Sequence, residues 1–396
     1  MRIKKTNIRK IFNSRAEESL EIEIIDASGR ASRALVPSGA STGEREVAVF
    51  PFVRARNSFA KIEKTIKGKS FSSIKSFDSF LAKLDATPKK ELVGGNVALG
   101  LSIAFARGLS FERKLEVWEV LRKEFFVREK GRHAPFIFSN LINGGAHGHN
   151  NLDIQEYMIA VRTNGGMLKA VEDLILFYKN LGKYFFQKGF EPLAIGDEAG
   201  YDVNLRNNFE PLAILSRKIK EAGLKNYFFL ALDAAATSFY NDGRYVFQGK
   251  PLSSHDLQKV YMSYFAKVKS LISIEDPFAE NDRAGFANFM RAVKNKWIVG
   301  DDLTTTDPDS IRESARGSLI NAVIIKPNQI GAVSETCYAI QAAKESKCKI
   351  ILSHRSGEVE DHFIIHAARA SNADGVKIGA PQRERMARFN ELLRIY

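Results

Sequence analysis

Five apolar runs in this sequence finish on an ionisable residue: Phe229-Leu230-Ala231-Leu232-Asp233, Leu271-Ile272-Ser273-Ile274-Glu275, Trp297-Ile298-Val299-Gly300-Asp301, Ala322-Val323-Ile324-Ile325-Lys326 and Ile350-Ile351-Leu352-Ser353-His354. Three carboxylates gathered in one place repel each other, so a hard dication such as Mg²⁺, which takes carboxylates and waters in octahedral geometry, is the expected occupant. Zinc fits less well. Cys337 and Cys348 are the only cysteines and lack Cys-x-x-Cys spacing, and in Gly145-Ala146-His147-Gly148-His149-Asn150 the second histidine reads as an ordinary loop residue. Beside a dication the ammonium form of Lys326 is disfavoured by like charge, which makes a neutral amine available to remove a proton next to a carboxylate. The enediolate so formed carries extra negative charge that metal ions and a second lysine can stabilise. Following His354, Arg355 offers planar donors and Ser356 a hydroxyl suited to a phosphate. The loop Pro37-Ser38-Gly39-Ala40-Ser41-Thr42-Gly43 could close over a phosphate, although most Gly/Ser loops are only turns.

Residues of this kind act together only if the chain brings the run ends to one rim. The end residues recur 42, 26, 25 and 28 positions apart, about the length of one strand, one helix and two loops. That spacing fits a parallel β/α barrel, whose active site lies at the C-terminal ends of the strands. Ahead of it, the alternation in Leu20-Glu21-Ile22-Glu23-Ile24-Ile25 and in Ala34-Leu35-Val36, separated by a Ser-Gly turn, predicts a hairpin or meander. The segments 58–66, 77–84, 97–111 and 115–125 space their apolar residues as helices do. A small α+β domain therefore precedes the barrel, and the polar stretch 128–133 reads as the linker.

The chain has 396 residues, 44% hydrophobic and 27% charged, an ordinary globular composition with room for one large core and one smaller. There is no run of 18 apolar residues, and nothing like a signal peptide follows the basic first 15 positions, so a soluble cytoplasmic protein is expected. The net charge of +13 and pI near 9.5 are compatible with nucleic acid, acidic membranes or an anionic substrate. Lys and Arg are nevertheless dispersed, and no zinc-finger or RRM-type motif accompanies them, so nucleic-acid or surface partners have no motif in support.

The motifs resemble those of one family, enolase (phosphopyruvate hydratase). The likeness runs in order through the Ser41 loop, Asn143-Gly144-Gly145-Ala146-His147, Asp153-Ile154-Gln155-Glu156, Gly196-Asp197-Glu198, Ser273-Ile274-Glu275-Asp276-Pro277-Phe278, Asp301-Asp302-Leu303-Thr304, Asn328-Gln329-Ile330-Gly331 and Ser353-His354-Arg355-Ser356-Gly357-Glu358. It implies an α/β protein with an N-terminal α+β domain over residues 1–130 and an eight-stranded TIM-type β/α barrel over 131–396, its first segments departing from strict alternation. It implies reversible, Mg²⁺-dependent dehydration of 2-phosphoglycerate to phosphoenolpyruvate, with two Mg²⁺ per site and a Lys base of the sort general in the superfamily. Asp233, Glu275 and Asp301 would hold the tighter ion, and Ser41 would help bind the second. Lys326 would take the C2 proton. Glu198 would be the general acid, with Glu156 and His147 assisting. Arg355 and Ser356 would grip phosphate, Lys377 in Gly375-Val376-Lys377-Ile378-Gly379 would stabilise the substrate carboxylate, and Gln155 and His354 would complete the pocket. Homodimers are typical of the family, and Glu21 and Arg394 resemble a family inter-subunit ion pair, so a homodimer or higher homo-oligomer is expected.

The sequence departs from the family in Asn13-Ser14-Arg15-Ala16-Glu17-Glu18-Ser19, in the short Val49-Phe50-Pro51-Phe52-Val53, in Ala199 where glycine is usual and in Ser238 where glutamate is common. Two other readings remain, an acid-sugar dehydratase and a basic binding protein. Arg355-Ser356 and the Ser41 loop argue against the first, and the dispersed charge argues against the second.

Overall fold

A computed structural model of the chain describes residues 1–39, 43, 45–131 and 133–396. The first 36 residues form a three-stranded antiparallel meander of strands Ile3–Phe12, Glu18–Asp26 and Ala31–Val36. The second turn is built locally: Asp26 accepts from the backbone N–H groups of Ser28 and Arg30, and Gly29 takes the left-handed conformation. Period-two alternation turns Leu20, Ile22 and Ile24 to one buried face. That face lies on helix Gly95–Arg113. A Cβ on Gly100 would stand 2.9 Å from Ile22 Cδ1, so this close approach requires glycine. Helices Phe52–Ile66, Ile74–Leu84 and Val117–Phe125 complete the unit. The second of these begins on a capping box in which Ser73 and Ser76 exchange hydrogen bonds. The helices expected from periodicity are all present; the first three begin earlier than expected, at Phe52, Ile74 and Gly95, and the fourth two residues later, at Val117.

The second part closes eight strands into a barrel: Phe136–Asn143, Glu156–Val161, Phe228–Asp233, Leu271–Glu275, Trp297–Gly300, Ala322–Ile325, Lys349–Ser353 and Gly375–Ile378, the last pairing in parallel with the first. The second strand is antiparallel to both its neighbours, and all other pairings in the ring are parallel. Two helices, Met167–Gln187 and Glu210–Glu221, then precede the third strand. From the third strand onward the alternation is regular, with outer helices Ser254–Lys267, Arg283–Ala292, Pro308–Arg316, Val333–Glu345 and Phe363–Ser371, and the chain ends on helix Met386–Ile395. Phe138, Met158, Ala160, Ala231, Val299, Ala322, Ile324 and Ile351 fill the barrel interior. Below them Phe136 packs edge-on to Phe229 and Trp297 at 6.0 and 5.8 Å.

The meander unit is fixed to the barrel at its rim. Ser38 and Gly357 exchange both backbone hydrogen bonds. Arg107 grips Asp361 through two bonds of 2.7 and 2.8 Å, and Asp361 also accepts from the Leu35 backbone N–H. Buried Asp78 receives the Ser102 hydroxyl and the Ser334 backbone N–H. Of the segment before helix Phe52–Ile66, Gly39 and Glu46 line the cavity at the strand ends. No helix among the described residues is long and apolar enough to cross a membrane.

Candidate active site

Strand direction decides which side chains reach the rim. Asp233 and Glu275 close their parallel strands and are paired in register, while Asp301, Lys326 and His354 directly follow theirs. Glu156 arrives by the opposite route. It opens the antiparallel second strand, so its N-terminal end lies at the same rim, opposite both Asn143 and Asp233. Lys377 projects from the eighth strand. All of these except Glu275 line one cavity, with His147, Gln155, Glu198, Arg355 and Ser356.

Cations and carboxylates are interleaved there. The Lys377 ammonium lies 2.9 Å from Asp233, 2.8 Å from Glu275 and 3.1 Å from Glu156, so it joins three strand ends. Burial works against its charge, but those three carboxylates outweigh burial and hold its pKa well above the ordinary lysine value. Lys326 forms an ion pair with Asp301. Burial again opposes the charge and Asp301 outweighs it, so the Lys326 pKa is raised. The lowering expected from the sequence refers to Lys326 beside a dication, which would take over the charge of Asp301. Glu275 is pushed well up by burial and by Asp233, and Asp276 by burial and by Asp302.

A second cluster sits beside the first. His147 Nδ1 is 3.7 Å from a carboxylate oxygen of both Glu156 and Glu198, and His354 Nε2 is 3.4 Å from Glu198. Asn140 donates to the other Glu198 oxygen. Burial drives His354 down to about 3, so its imidazole is neutral. Of the two carboxyls, Glu156 is driven up by burial and by the Glu198 charge. Burial also pushes Glu198 up, but the flanking imidazoles and Lys377 outweigh it and hold Glu198 low. Of the two, Glu156 is therefore the one that takes a proton first. His147 Nδ1 and Glu156 Oε2 are buried with no hydrogen-bond partner among the described residues, polar capacity that a substrate can satisfy. The Glu198 loop is seated closely: Ala380 N–H donates to the Glu198 carbonyl, and a Cβ on Gly379 would come within 2.4 Å of that oxygen.

On the far side, Arg355 binds Glu46 at 3.1 Å and Asn328 at 3.0 Å, and Gln329 bridges Glu46 and Asp301. Ser356 lines the same cavity, and Arg15 approaches its hydroxyl at 3.5 Å. The altered N-terminal motif is used here. Asn13 Nδ2 donates to Ser38, and Ser14 N–H donates to the Glu358 carbonyl.

Every predicted site residue within the described part of the chain reaches this region. Ser41 lies outside the described residues. His149 is almost wholly exposed, as an ordinary loop histidine should be, and Ser238 is exposed too. Sequence reasoning assigned no role to Glu46, which orders Arg355, nor to Arg385, which is fully buried and places a guanidinium 2.9 Å from His354 Nδ1 while donating to the Arg355, Asp197 and Ser356 carbonyls. Asp276 did lie within a motif; it accepts from the backbone N–H groups of Asp301 and Asp302 and so turns the fifth strand's end inward. As a donor set, the carboxylates of Asp276, Asp301 and Asp302, whose ligand atoms lie within 4.8 Å of one another, suit a hard divalent cation.

A closed barrel with lysines, paired glutamates and an arginine–serine corner on one carboxylate-rich rim defines a β/α-barrel acid–base enzyme for an anionic substrate. Comparison with known proteins narrows this. Residues 3–121 match the model for the enolase N-terminal domain, and residues 132–396 match that for the enolase C-terminal TIM barrel domain. The chain is 36% identical to the enolase of Elusimicrobium minutum (strain Pei191) over 100% of this chain and 95% of the relative. It is 37% identical to that of Campylobacter jejuni subsp. jejuni serotype O:23/36 (strain 81-176), with 97% and 94% covered, and 36% identical to that of Acidothermus cellulolyticus, with 98% and 92% covered. The chain belongs to the enolase family, with that family's activity as a phosphopyruvate hydratase, the glycolytic hydro-lyase that interconverts 2-phosphoglycerate and phosphoenolpyruvate.

Proposed function

We propose that Lys326 removes the C2 proton of 2-phosphoglycerate and that Glu198 protonates the departing C3 hydroxyl. The observation that carries this reading is that the two groups come from different loops and line one cavity. Lys377, between Asp233, Glu275 and Glu156, stabilises the substrate carboxylate as charge accumulates on it. Glu156 and His147, whose Nδ1 stands 3.7 Å from both glutamates, assist Glu198 around the leaving group. Arg355 and Ser356 hold the phosphate, and Gln155 and His354 complete the pocket. Asp233, Glu275 and Asp301 are the residues that would hold the tighter Mg²⁺, with Ser41 contributing to a second. When bound, the ions supply positive charge where the enediolate develops negative charge and offset the repulsion among these carboxylates.

The same reading divides the chain at residue 130, between helix Val117–Phe125 and strand Phe136–Asn143, and takes the enzyme to be a cytoplasmic homodimer. Light scattering on the eluting protein tests the assembly. The reaction is tested by following phosphoenolpyruvate absorbance from 2-phosphoglycerate with Mg²⁺, after chelation and after Mg²⁺ is restored. Activity that disappears with chelation and returns with Mg²⁺ supports the assignment. A folded, Mg²⁺-supplied protein with no turnover overturns it.

A further inference from the structure

The last two helices carry a cluster that the reaction does not use. His362 is the residue preceding helix Phe363–Ser371, and His366 lies in that helix four positions on, so both rings share one helix face. Glu391, from helix Met386–Ile395, meets that face: its Oε1 is 2.9 Å from His366 Nε2 and 3.9 Å from His362 Nε2. The three candidate ligand atoms all lie within 4.8 Å of one another. Ligands on a tetrahedral ion with bonds of about 2.0–2.1 Å stand about 3.3 Å apart, so the two measured separations bracket the required one. His366 and Glu391 are buried, whereas the His362 side chain is 38% exposed, which leaves an entry path and a position for water.

We propose that His362, His366 and Glu391 form a metal site outside the active centre, suited to a borderline transition-metal ion such as Zn²⁺ and not to Mg²⁺. Two imidazoles and one carboxylate favour zinc and its neighbours in the transition series, whereas Mg²⁺ prefers oxygen ligands in an octahedron. The rival for Glu391 is Arg394, which donates to both of its oxygens at 2.6 and 2.8 Å. That guanidinium is separately held by Glu116 through bonds of 2.8 and 2.9 Å. It can therefore keep Oε2 and Glu116 while Oε1 turns to an ion. The His366 Nδ1 is buried without a hydrogen-bond partner among the described residues, so the ion pair with Glu391 leaves this ring only half satisfied.

The test uses the full-length enzyme freed of metals by chelation and then saturated with Mg²⁺, so that the carboxylate rim is occupied. Zn²⁺ is titrated calorimetrically, and Co²⁺ replaces it as a visible-absorption probe for a four-coordinate nitrogen–oxygen site. The wild type should take up one equivalent of Zn²⁺ that His362→Ala binds at least tenfold more weakly, and Zn²⁺ should raise the melting temperature of the wild type more than that of the variant. His362 is partly exposed, so this variant folds even if Glu391→Gln does not. Indistinguishable Zn²⁺ isotherms and Co²⁺ spectra for wild type and His362→Ala would overturn the site and leave the cluster as an ion pair only.

Discussion

Lys326 is half-buried and Glu198 buried on the cavity wall, and the first is paired to a carboxylate while the second is flanked by imidazoles. Lys326→Ala and Glu198→Gln are therefore expected to lower turnover at least about 10³-fold, the upper range for one proton-transfer group, with the circular dichroism spectrum unchanged. Loss of structure together with activity would reassign the residue to the fold. Arg355→Lys keeps a charge but loses the planar fork that reaches Glu46 and Asn328 together. Its KM for 2-phosphoglycerate should rise about tenfold or more, with a smaller change in kcat. How far these residues were legible depended on the direction of the backbone. Asp233, Glu275, Asp301, Lys326 and His354 stand out because parallel strands deliver their last residues to one rim. Glu156 opens an antiparallel strand and escaped the same pattern, and Lys377 is one buried lysine inside a short run. Both were found only through family resemblance. Arg385 had no signal at all, because most of its contacts, the His354 ring and the Asp197, Arg355 and Ser356 carbonyls, lie far off in sequence.

Among the secondary-structure elements, the joint between helix Gly95–Arg113 and the loop before helix Phe363–Ser371 rests on Arg107 and Asp361. Burial pushes the Asp361 carboxyl up, but Arg107 outweighs it and holds the pKa well below the usual carboxylate range. A depressed folded-state pKa contributes stability above the unfolded value of about 3.9 and loses it as pH falls toward the folded value. Arg107→Ala leaves Asp361 buried without its counter-ion, at an expected cost of about 3–5 kcal/mol near neutrality. Denaturant melts should give that gap at pH 7 and a steadily smaller one below about pH 4. A gap independent of pH would mean that Arg107 acts through packing alone. The elements themselves were largely readable from period and spacing. Their joint was not, since Asp361 and Arg107 are far apart in sequence and each reads alone as a surface charge.

For the molecule as a whole, the net charge of +13 acts at distances that no single contact covers. The substrate carries a carboxylate and a phosphate, and a positive field raises its encounter rate, an effect screened beyond about 10 Å at 0.1 M salt. If the charge serves steering, kcat/KM for 2-phosphoglycerate should fall with rising ionic strength while kcat stays nearly constant, once Mg²⁺ activity is held fixed. The alternative use of the charge, polyanion binding, makes a different demand. It requires affinity for a DNA or RNA duplex that is steep in salt and survives physiological ionic strength. The two are separable in one series of salt concentrations, with turnover and duplex binding measured on the same preparation. A salt-sensitive kcat/KM with duplex binding lost by 0.15 M assigns the charge to substrate capture. The reverse pattern would assign it to a nucleic-acid surface that the dispersed lysines and arginines do not announce.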